Sequence, residues 1–254
     1  MAGCALCRKS KQLCDSHYLP AGLYRLARAA GGKNRHPVLI TRTQWQKLAE
    51  QSRAFVLCKS CESRFDHEGE AWMLRHCCRG AGRFRLRELL IKNVPLSVDD
   101  DTRVYETGEA IAHRLTYFAV SMFWRGAAHH WRIGRDFSQL LRLGPFEESL
   151  RLYLLGQAAF PPRAAVLVNV SNQPNPPLGA SYPMTYTQGT ASRFHRFHIP
   201  GVMFTLYLGN SASEVQPLSV TEAGHPICFG PSSDQLFLSN IVDFIRRNNP
   251  PRRV

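Results

Sequence analysis

The chain has 254 residues, of which 44% are hydrophobic and 20% charged, with a formal net charge of +13. That composition excludes a disordered chain, and no run of about 18 apolar residues suggests a membrane-spanning helix. The excess of Lys and Arg points to polyanions, nucleic acid first, because each neutralised phosphate releases condensed counterions. The alternative is a solvated basic surface that aids solubility.

Met1-Ala2-Gly3-Cys4 lacks the basic-then-apolar pattern of a secretion signal, so a cytoplasmic location is expected. In that compartment eight cysteines favour metal binding over disulfides. Cys4-x-x-Cys7 and Cys58-x-x-Cys61, separated by a long insert, carry the spacing of one four-sulfur zinc site. Cys14 lies outside these pairs and reads as a packed free thiol.

In chain order, residues 1–19 read as a knuckle followed by a short hairpin, with Lys9-Ser10-Lys11 as a polar turn. Pro20 breaks the strand. Residues 21–30 form a helix with Leu23 and Leu26 on one face and Arg25 and Arg28 off it, stopped by Gly31-Gly32. Lys33–Pro37 is a basic loop, Val38–Ile40 a strand, and Thr43–Gln51 a short helix with Trp45 and Leu48 at helical spacing. Phe55–Leu57 leads as a strand into Cys58, and a helix follows Cys61. The second cysteine pair opening a helix resembles a treble clef, where thiolates gain from the positive end of the helix dipole.

Further along, Phe84–Ile91 is a short helix, Asp99-Asp100-Asp101 an acidic loop that caps or is solvated, and 107–126 a buried helix. Ser138–Leu143 and Pro145–Gly156 read as two more helices. After Pro161-Pro162 the pattern turns to strands at 165–170, 194–199, 202–208 and 226–229, with a closing helix over Ser239–Arg247. The expected class is α+β: a zinc module over 1–80, a mainly helical segment over 81–160, and an antiparallel β-rich region over 161–254 packed with that segment as one domain. No nucleotide-binding glycine loop and no Gly-x-Ser-x-Gly elbow is present. His76-Cys77-Cys78 reads as a buried helix end rather than a second soft-metal site, and His195 and His198 point to opposite faces of a strand.

Cys4-x-x-Cys7, Asp15-Ser16-His17-Tyr18-Leu19-Pro20 and Leu57-Cys58-x-x-Cys61 together resemble the zinc-bearing HNH endonucleases over roughly residues 1–75. The resemblance implies a structural Zn²⁺ on Cys4, Cys7, Cys58 and Cys61. It implies His17 as the general base for water attack on phosphorus, with one divalent cation, Mg²⁺ or Mn²⁺, stabilising the developing charge. The family places Asp directly before that histidine, where this chain has Ser16, and Asn or His after the second pair, where it has Glu62. Glu62 and His67 are the variant cation ligands. The chain also resembles a wider group of bacterial proteins of unassigned role, marked by these motifs and a later Trp-Arg helix (Trp124-Arg125).

Three functions follow as expectations. The first is a zinc-binding, nucleic-acid-binding protein on an HNH-like module, with Arg25, Arg28, Lys33, Arg35 and Arg64 as contacts to DNA and the C-terminal half as a site for a protein partner. The second is an active metal-dependent endonuclease. The third is a structural or protein-interaction zinc module.

Overall fold

The computed structural model describes residues 3–30, 38–40, 45–47, 51–99, 101–133, 137–188 and 192–231. Lys33, Arg35, the loop ending at Pro37 and the closing helix expected over Ser239–Arg247 lie outside the described residues. No described helix is long and apolar enough to cross a membrane.

The N-terminal part is built on two paired strands. β1 (Leu13–His17) runs antiparallel to β4 (Arg53–Cys58), with His17 opposite Arg53 and Asp15 opposite Phe55. Between them lie helix α1 (Ala21–Ala30) and the hairpin of β2 (Val38–Ile40) and β3 (Trp45–Lys47). α1 follows its amphipathic pattern: Leu23 and Tyr24 are buried and Arg25 and Arg28 face solvent. The helix expected over Thr43–Gln51 is not formed at Trp45–Lys47. Cross-strand pairing with Val38–Ile40, two of whose three residues are β-branched, overrides a helical spacing that rests on two residues alone.

β4 runs directly into α2 (Lys59–Phe65), a π-helical turn over Asp66–Glu70, and α3 (Ala71–His76). The π turn sits where Gly69 meets the main chain of the central helix: a Cβ there would lie 2.9 Å from Phe118 Cα. Widening the helix by one residue at this contact fits π-turns as insertions at close approaches. α4 (Arg85–Leu90) follows a turn at Gly80–Gly82.

β5 (Ser97–Asp99) and β6 (Thr102–Tyr105) form a hairpin, and α5 (Glu109–Ala128) follows. β7 (Trp131–Ile133) then pairs with β8 (Phe137–Gln139). The helix expected over Ser138–Leu143 is therefore corrected: its start is a strand. The main-chain N–H of Leu141 is given to the carbonyl of Gly126 instead of to a helical turn, so the segment stays extended along α5. α6 (Phe146–Leu154) begins after Pro145, with Glu147 and Glu148 in its first turn as the dipole favours.

The last part supplies β9 (Ala164–Ser171), β10 (Met184–Gln188), β11 (Ser192–Ile199), β12 (Val202–Leu208), the short helix α7 (Asn210–Ser213) and β13 (Ile227–Gly230). Among the described residues these join β5 and β6 in a seven-stranded sheet of order β10-β11-β12-β9-β13-β6-β5, antiparallel except where β13 meets β9. Two strands of that sheet thus come from the 81–160 stretch expected to be mainly helical. The whole is mixed α/β.

α5 lies between the N-terminal module that carries the four cysteines and the sheet. Towards the sheet, Phe118 and Phe123 meet Phe197 edge-on at 6.0 and 5.0 Å. Towards the module, Trp124 meets Phe65 edge-on at 6.2 Å. Such aromatic pairs contribute about 0.5–1.5 kcal/mol each beyond the area they bury. This explains why α5 is apolar on nearly all sides rather than along one stripe.

Candidate metal centre and its surroundings

The first cysteine pair sits on a tight turn. The N–H of Cys4 donates to the Lys9 carbonyl (3.1 Å) and that of Arg8 to the Cys4 carbonyl (2.7 Å), with Arg8 at φ 59°. The second pair straddles the junction of β4 and α2. Cys58 is the last strand residue and caps the helix in extended geometry (φ −80°, ψ 161°), and Cys61 lies one turn in. The N–H of Ala5 donates to the Val56 carbonyl (3.0 Å), which brings the two loops together.

The four sulfurs lie within 4.8 Å of one another, and Cys7 and Cys58 Sγ are 3.9 Å apart. A tetrahedral zinc with Zn–S bonds of about 2.3 Å places sulfurs about 3.8 Å apart. Among the described residues this is the only set of three or more His, Cys, Asp or Glu side chains close enough for one ion. The Cys58 N–H also donates to Cys4 Sγ (3.3 Å), a bond a thiolate accepts better than a thiol. The cluster can hold a metal ion such as zinc.

Electrostatics fit that donor set. Burial opposes ionisation of Cys58, but hydrogen bonds from Ser60 Oγ, from the Cys61 N–H and from neighbouring thiols overcome it and lower its pKa to about 6. Burial pushes Cys4 up, and burial together with the neighbouring sulfurs pushes Cys61 up. The first thiolate is easy and the next ones are not, because several negative sulfurs in one buried cluster need a cation among them. A divalent metal would supply it.

α6 braces the first knuckle. Arg151 donates to the Leu6 carbonyl, between the two knuckle cysteines, and pairs with Glu148 at 2.8 Å. Glu148 also pairs with Arg8. The two guanidiniums hold the Glu148 carboxyl down at about 2.

His17, the base candidate, lies at the end of β1. Its pKa is lowered by burial and by Arg53, against Asp15, Glu62 and the Gln51 amide, which raise it. Glu62, in the first turn of α2, is thus brought into electrostatic reach of His17. His17 Nε2 and Glu62 Oε1 are both buried without a hydrogen-bond partner among the described residues. His67 lies beyond, exposed in the π turn, where its carbonyl accepts from Arg114 (2.6 Å). His17, Glu62 and His67 do not form a three-ligand set.

Ser16, where the HNH pattern has Asp, is 1% exposed and accepts the Leu57 N–H at 3.2 Å beside the bulge in the β1–β4 ladder. A carboxylate there would be a buried charge. Asp15 points outward and pairs with Arg53 at 3.0 Å.

Arg25 and Arg28 are exposed on α1, away from each other by one turn. Arg64 is exposed on α2, its guanidinium 3.4 Å from the Leu155 carbonyl. It lines a cleft of about 350 Å³ that runs beside Cys7 and Cys61 and collects Arg8, Lys9, Lys11 and Arg151. In the sequence Lys9-Ser10-Lys11 shows only a polar turn; the signal for a cleft wall is the pair of cations beside a metal-binding loop. Nothing local to Arg151 could have placed it there.

His76 stacks on Trp72 at 3.9 Å, and Cys77 and Cys78 are fully buried beside it, so this stretch packs as a helix end. Buried His195 pairs with Thr185 Oγ1 at 3.0 Å. Compared with protein-family models, with curated proteins and with solved structures, the chain matches none.

Proposed function

We propose that this chain is a zinc-held, nucleic-acid-binding protein built on an HNH-like module. The observation that carries the reading is the meeting of a tight turn and a strand–helix junction on four sulfurs, beside a cleft lined by the exposed Lys9, Lys11 and Arg64, with Arg25 and Arg28 exposed on α1. Zinc holds the Cys4–Cys7 turn to the β4–α2 junction, the cations engage phosphates, and the sheet-bearing half sets the choice of nucleic acid, DNA first, or of a protein partner. The test is fluorescence anisotropy with labelled DNA and RNA across a salt series. Binding that weakens steeply as salt rises is expected. No binding to either at about 50 mM salt overturns the reading.

One observation favours a second reading, a metal-dependent endonuclease of HNH type: His17 at the end of β1 lies within electrostatic reach of Glu62 in the first turn of α2, each with a buried atom that has no hydrogen-bond partner among the described residues. In that reading His17 accepts a proton from the attacking water. Glu62, with His67 as second candidate, would hold Mg²⁺ or Mn²⁺, which when bound supplies stabilisation of charge on the phosphate. Nicking of supercoiled plasmid that requires the cation and falls at least about 100-fold in His17→Ala is the expected result. No nicking by either protein leaves the binding reading alone.

A further inference from the structure

We propose that the cleft between the first zinc knuckle, α2 and α6 seats the phosphodiester backbone of a bound nucleic acid, with Lys9, Lys11 and Arg64 as its phosphate contacts. The inference rests on the nucleic-acid reading above and assigns it a place.

The cleft has room, about 350 Å³, and its walls gather Arg8, Lys9, Lys11, Arg64 and Arg151, with Ser60 turned to Cys58 Sγ. These cations differ in what they already do. Arg151 and Arg8 are committed to Glu148. Lys9 and Lys11 are exposed and have no carboxylate partner among the described residues, and Arg64 has only a long bond to a main-chain carbonyl. Five cations therefore face two carboxylates, Glu148 and, through Arg8, Glu147. The excess survives the two negative charges that a zinc ion on four thiolates would carry. A concave surface with spare cations from two chain segments, the first knuckle braced by Arg151 and the helix α2, is pre-organised for an anion with several adjacent charges. Ser60 and Arg64 are four residues apart on α2 and share a face, whereas Glu62 lies on the other side, within electrostatic reach of His17. The strand would thus run along the knuckle side of α2, not over His17.

The test compares wild type with a Lys9→Ala, Lys11→Ala, Arg64→Ala triple variant by anisotropy on one DNA duplex and its single strand across a salt series. Zinc content and melting temperature serve as folding controls, and Lys11→Glu alone is the back-up variant. Loss of three phosphate contacts should lower the slope of log affinity against log salt by about two to three and weaken binding at least about 10-fold near 100 mM salt. Lys11→Glu should move both in the same direction. Wild-type binding with an unchanged slope in both variants overturns the cleft and leaves the nucleic-acid reading standing. Absence of wild-type binding overturns both.

Discussion

Arg125 sits in the buried stretch of α5 with 1% of its side chain exposed. It gives one terminal nitrogen to the carbonyls of His17 (3.0 Å) and Tyr18 (3.2 Å) and the other to Glu70 (2.6 Å). Its guanidinium also lies 5.0 Å from the centre of the Phe65 ring. Burial pushes the Glu70 carboxyl up and Arg125 pulls it back. One side chain thus fixes the end of β1, where His17 stands, to the helix that carries Glu62. Removing it leaves a buried carboxylate and two carbonyls without their donor. Arg125→Ala should cost about 3–5 kcal/mol in denaturant unfolding, as breaking a buried pair does, and Glu70→Gln added to it should restore part of the loss. A cost under about 1 kcal/mol would show that the pair carries little. At this scale the sequence spoke unevenly. The four cysteines were legible because their spacing is itself the geometry of a tetrahedral site. Ser16 was legible only as a departure from a pattern; its bond to Leu57 N–H depends on a bulge that no local signal announces.

Among the elements, β11 carries a second consequence. His195 is 3% exposed between neighbouring strands, and burial, with Arg193 nearby, lowers its pKa to about 4. Above about pH 6.5 the folded and unfolded chains both hold this ring neutral. Below that the unfolded chain takes up a proton that the folded one refuses until about pH 4, so stability falls as pH falls through this window, by ~3 kcal/mol in all. Denaturant midpoints at pH 7 and 4.5 should separate in wild type and separate less in His195→Leu. Equal separation in both would assign the acid sensitivity to other groups. Elements with a period of their own were readable: α1, α5, α6, β9, β11 and β12 all fall where their apolar spacing puts them. Three-residue strands such as β3, β5 and β8 were not, because so short a strand is defined by the partner it pairs with rather than by its own residues.

For the whole molecule, the metal centre and the sheet share α5 as a common wall. Phe65 and Glu70 on the module side and Phe197 and Phe204 on the sheet side all press on that helix. Losing the metal should therefore be felt throughout, not only in the knuckle. Chelation of the wild type, or Cys58→Ser, should remove the bound zinc and lower one cooperative melting transition. A loss of about 4 kcal/mol corresponds to roughly 8–16 °C in a domain of this size. Unchanged melting with unchanged zinc in Cys58→Ser would refute the four-sulfur assignment. The cleft belongs to this scale too, since Arg151 reaches a carbonyl 145 positions away, a distance at which sequence pattern carries no information.

The β1–β4 ladder also governs what the chain can tolerate. The polypeptide leaves it at His17 and returns opposite, at Arg53, so everything between is a loop closed on one rung and clasped again at the sulfurs. The entropy of closing such a loop grows only with the logarithm of its length, about 0.6 kcal/mol per doubling. Added chain length between the two strands would therefore cost the ladder little. The chain between them is a natural place for one frame to acquire new surfaces while its sulfurs keep their positions.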